Sequence, residues 1–69
     1  MFDVFIEQVF DTTAELYGTY LEYADEYGSD DIRIVKAQSR FFGALEIVET
    51  IGDAKLVNEF YMYYNEKYL

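Results

Sequence analysis

Seven carboxylates are the side chains of this chain best spaced to act together. Asp3, Glu7, Asp11 and Glu15 recur every four residues, and Glu22, Asp25 and Glu26 follow. At the helical increment per residue, all seven fall within a sector of about 140°. A face of this kind can share protons, attract cations or oppose a basic surface. Proton sharing for acid–base catalysis needs carboxyls in unlike environments, and one hydrophilic face supplies only one environment. The chain has no histidine and no cysteine, so the usual transition-metal ligands are missing and neither Ser29 nor Ser39 has an imidazole to activate it. The segment Asp25-Glu26-Tyr27-Gly28-Ser29-Asp30-Asp31 is rich in oxygen. It lacks the alternating ligands, central glycine and terminal glutamate of a helix–loop–helix calcium site. These residues predict a non-catalytic protein with no metal and no cofactor, and leave a basic macromolecule as the natural partner of the acidic face.

The distribution of charge sharpens that expectation. The first 31 residues hold nine carboxylates and no lysine or arginine, while the other 38 hold five charges of each sign. The whole net charge of −9 therefore belongs to one segment. It would repel nucleic acid and anionic membrane, and attract basic proteins or the basic grooves of nucleic-acid enzymes. Carboxylates one helical turn apart lie about 6 Å from each other, close to the phosphate spacing of a nucleic-acid strand. In size and acidity the chain resembles small phage-encoded inhibitors of bacterial defence enzymes, a likeness of character without a shared motif. That resemblance implies a nucleic-acid mimic. The competing expectation is a structural or adaptor protein that binds through its aromatic surface, with the acids only solvating it. Like charges a turn apart cost a few tenths of a kcal/mol per pair, about 1–2 kcal/mol over the face. A cationic partner would turn that cost into attraction.

The elements that must carry this face are helices. Phe2, Ile6, Val9, Thr13, Leu16, Tyr20, Tyr23 and Tyr27 alternate in steps of four and three, which is an amphipathic helical seam. Thr13, its one polar member, can donate to the Val9 carbonyl. Gly28 predicts a left-handed helix stop, and Ser29 or Asp30 a cap for the next helix. Ile34, Ala37, Phe41, Leu45 and Val48 mark the buried side of that second helix, with Ser39 and Gly43 expected at a close backbone approach. Gly52 should end it and Asp53 cap a third, whose inner face is Leu56, Phe60, Tyr63 and Tyr64. The expectation is a single all-α domain over 1–69, a three-helix antiparallel bundle with helices at about 2–27, 30–51 and 54–68. Arg33, Lys36 and Arg40 share one side of the second helix and are expected to pair with Glu22, Asp25 and Glu26, or to meet the acids of a second copy.

Fourteen aromatic residues in 69 are a large apolar load for a chain that buries only about 60% of its unfolded surface. A first helix longer than the third would also leave part of its seam open. Both predict a homodimer, through a contact including Leu16, Tyr20, Tyr23 and Phe60. No apolar run is long enough to span a membrane and no cationic leader precedes one, so the cytoplasm is the expected compartment.

Overall fold

A computed structural model describes residues 3–28 and 30–69, and these are α-helical apart from Asp3, the turn and the last residue. There are two helical elements, α1 (Val4–Glu26) and α2 (Ile32–Tyr68). The places of Phe2 in the seam and of Ser29 as a cap lie outside the described residues.

α1 starts where Asp3 caps it: the carboxylate Oδ1 accepts the Ile6 N–H at 2.8 Å, satisfying one of the free donors of a first turn. It ends without a left-handed glycine. Tyr27 leaves the helix in an extended conformation while its N–H still reaches the Tyr23 carbonyl, and no glycine has positive φ. The turn then closes through Asp31, not Asp30. Asp31 caps α2 by accepting the Arg33 N–H at 2.8 Å, and also grips the Arg33 guanidinium through both carboxylate oxygens, at 2.9 and 2.7 Å. That guanidinium lies 3.6 Å from the centre of the Tyr27 ring. One arginine thus ties the end of α1 to the start of α2.

The expected third helix is not a separate element. Helical structure runs on through residues 32–68, broken in dihedral angles only at Gly52 (φ −144°, ψ 23°) and Asp53 (φ 62°, ψ −171°). The break is sharp. A straight helix would hold Phe41 and Phe60 about 28 Å apart, yet their ring centres are 6.4 Å apart. The kink therefore folds the C-terminal arm (54–68) back beside the N-terminal arm (32–51). Gly52 is needed because a Cβ there would meet Leu56 side-chain atoms at 2.7 Å. Asp53, not a glycine, takes the positive φ, and its carboxylate forms no capping bond among the described residues.

The core forms where α1 meets both arms. Phe10 and Ala14 of α1, Phe41 and Val48 of the N-terminal arm, and Phe60 and Tyr64 of the C-terminal arm are all buried. Tyr17 is the joint: it stacks on Phe41 at 4.6 Å and meets Tyr64 edge-on at 4.7 Å. Thr13 is 1% exposed and donates to the Val9 carbonyl at 2.7 Å, so a polar residue sits inside the seam with its hydroxyl satisfied, as expected. Ser39 and Gly43 are exposed, and a Cβ at Gly43 would meet nothing within 4 Å. No backbone approaches there.

Candidate functional site: the acidic face of the first helix

The seven carboxylates divide into three roles once α1 is folded against α2. Asp3 is the cap described above. Glu7, Glu15, Glu22, Asp25 and Glu26 are exposed, and none joins an ion pair among the described residues. Asp11 is drawn inward and becomes the hub of a contact with the C-terminal arm.

Three groups converge on Asp11. The Tyr63 hydroxyl donates to Oδ1 at 2.6 Å and the Tyr68 hydroxyl to the same atom at 2.8 Å. Lys67 Nζ reaches Oδ1 at 3.0 Å and Oδ2 at 3.3 Å, and also donates to the Tyr63 hydroxyl at 3.0 Å. The Tyr63 and Tyr68 hydroxyls, with Lys67 behind them, hold the Asp11 carboxyl below its ordinary range. In return, donation to Asp11 raises both tyrosine hydroxyls, and the Tyr63 and Asp11 bonds raise Lys67. Residues 63, 67 and 68 share one helical face, so their mutual proximity is readable from spacing. Which carboxylate they reach depends on how the arm crosses α1, and spacing does not carry that.

The basic cluster is placed differently from expectation. Arg33 pairs with Asp31 at 2.7 Å, which holds the Asp31 carboxyl at about 2. Among the described residues the only other ion pair is Lys67–Asp11. Neither Lys36 nor Arg40 pairs with Glu22, Asp25 or Glu26. They line an open cleft between α1 and the N-terminal arm, facing Leu16, Thr19 and Tyr23. The proposed self-association residues also change standing. Phe60 is 0% exposed, enclosed by its own chain, and cannot meet a second copy. Leu16 and Tyr20 are half-buried against the core, and Tyr23 packs edge-on against Tyr27 at 5.5 Å.

What remains is one helix with five carboxylates that join no ion pair among the described residues. Glu7 to Glu26 spans about 28 Å along its axis. Among the described residues, no group of three or more potential ligands could hold a metal ion, and no helix is long and apolar enough to cross a membrane. Comparison with known proteins found no matching family model, no matching curated protein and no matching solved structure.

Proposed function

We propose that this chain is a non-catalytic protein-binding module that seats the acidic face of α1 in the basic groove of a cytoplasmic nucleic-acid-binding protein, and so acts as an inhibitor of the kind mobile elements encode. The observation that carries this reading is the set of unpaired carboxylates Glu7, Glu15, Glu22, Asp25 and Glu26 on one helix that bears no cation. Solvation alone is served as well by interspersed charges of both signs. A single-sign strip adds a field that steers a basic partner. Asp11 is set apart from these five, because Lys67 pairs with it at 3.0 Å.

The reading is tested by capturing partners on immobilised protein and challenging the complex with double-stranded DNA. A retained nucleic-acid-binding protein that is displaced by excess DNA supports mimicry. A partner that DNA leaves in place contradicts it. The second reading, an adaptor that binds through apolar surface, is favoured by Phe5, Phe42 and Ile47, which are 59%, 49% and 58% exposed.

A further inference from the structure

The bend in α2 is short, strained and flanked by sequence that is otherwise helical. Only Gly52 and Asp53 leave helical angles in the 37 residues from Ile32 to Tyr68. Asp53 sits at φ 62°, ψ −171°, a region kept almost wholly for glycine. Gly52 is as tightly placed, since a Cβ there would come 2.7 Å from Leu56 side-chain atoms. In a straight helix neither constraint applies, and alanine would be preferred at both positions. The chain has no proline to bar the straight form.

The two arms that meet across the bend run antiparallel. Phe41 lies 6.4 Å from Phe60, and Leu45 shares a wall with Val57, so the paired residues step in opposite directions from residue 52. The C-terminal arm also reaches α1: Tyr64 meets Tyr17 at 4.7 Å, and Tyr63, Lys67 and Tyr68 converge on Asp11. None of these contacts involves the bend itself. They need a C-terminal arm in that place, and any copy of the arm would serve.

We infer that α2 is a two-state element, folded back in the single chain and straight in a dimer that exchanges C-terminal arms. A straightened α2 is about 55 Å long. Two of them, antiparallel about a two-fold axis through residues 52–53, set Phe41 of each copy against Phe60 of the other. Each Asp11 then receives Tyr63, Lys67 and Tyr68 of the second copy. Phe60, closed to a second copy while α2 is folded back, fills the core of the other chain. The contacts of the arm away from the bend are remade, and the Asp53 angle is relieved in both chains. Two terms oppose exchange: the freedom lost on association and the repulsion between chains of net charge −9. Both favour the single chain when it is dilute and in low salt. Exchange leaves α1 in place, so the dimer carries two acidic faces, and the inference does not rest on what those faces bind.

The test is a hinge variant, Gly52→Ala/Asp53→Ala, which burdens the bend and suits the straight helix. In sedimentation equilibrium at about 100 µM, where even a weak dimer forms, its mass should be about twice 8.2 kDa. Its helicity by circular dichroism should equal or exceed that of the wild type. Asp53→Gly, which relieves the bend, should remain at 8.2 kDa under the same conditions. Exchange is told from an ordinary contact by refolding a mixture of isotope-labelled and unlabelled hinge variant from urea. Isotope-filtered nuclear Overhauser effects should then join Tyr17 of one copy to Tyr64 of the other. A hinge variant that is monomeric, that loses its helicity, or that dimerises with the Tyr17–Tyr64 contact confined to one chain would each overturn the inference. So would an Asp53→Gly chain that dimerises as strongly as the hinge variant.

Discussion

Asp11 is held by three groups of the C-terminal arm, so removing it should loosen that arm first. A hydrogen bond to a charged group contributes about 1.5–3 kcal/mol when buried, and an exposed ion pair about 0–1 kcal/mol. At its partial exposure, Asp11→Ala should cost about 1–2 kcal/mol, read as a lower urea midpoint. The pH dependence has a definite sign. A carboxyl held below its ordinary value of 3.8 contributes stability above that pH and loses it as the pH falls further. Asp31, held at about 2, acts in the same direction. The wild-type melting temperature should therefore drop below pH 4, and the gap to Asp11→Ala should close there. At the alkaline end, the Tyr63 and Tyr68 hydroxyls lie above their ordinary 10.0. Their contribution is present below pH 10 and fades as the pH rises beyond it. The sequence shows Asp11 only as one member of a periodic face, because its partners are more than fifty positions away and meet it only through the kink.

At the scale of elements, α1 was legible nearly in full. Its seam, its extent and the Thr13 bond follow from local spacing and local hydrogen bonding. The junctions were less so. Glycine marks a place where the backbone is free, but not which residue takes the unusual angle. At residues 52–53 the glycine is required for its missing Cβ, and Asp53 takes φ 62° with ψ −171°. That region costs a side-chain-bearing residue about 1–3 kcal/mol, against about 0.4–1 kcal/mol of added unfolded-state entropy for glycine. Asp53→Gly should stabilise the chain by about 1 kcal/mol in urea unfolding, whereas Gly52→Ala should destabilise it. Gly43, whose spacing from Ser39 suggests a close approach, is open. Gly43→Ala should raise stability by about 0.5–1 kcal/mol as an ordinary exposed helix substitution. A loss instead would mean that something packs on that surface.

For the molecule as a whole, the aromatic excess read from composition is largely absorbed within one chain. Folding α2 back on itself brings Phe41 and Phe60 together and closes both over Tyr17, a contact invisible to a comparison of helix lengths. Phe60→Ala should therefore cost about 3–5 kcal/mol in folding, measurable by denaturation at any chain concentration. The excess of negative charge is not absorbed, since the two ion pairs among the described residues engage only Asp11 and Asp31 of the acidic segment. Charge and periodicity made this strip legible. Which of its members stay free is set by the caps and the fold-back. Glu7, Glu15 and Glu22 are exposed and outside both the Asp3 cap and the Asp11 hub, so Glu7→Lys/Glu15→Lys/Glu22→Lys should keep its helicity. Lys36→Glu/Arg40→Glu is the control, a charge reversal on exposed positions of α2 that leaves the acidic face of α1 intact. The most direct measurement is the association rate of a captured nucleic-acid-binding partner with these two variants and the wild type, from about 50 to 500 mM NaCl. The wild type and the control should associate fast at low salt and steeply slower as salt rises, and the triple variant should not associate. Undiminished association of the triple variant, with a rate indifferent to salt, would contradict binding through the acidic face.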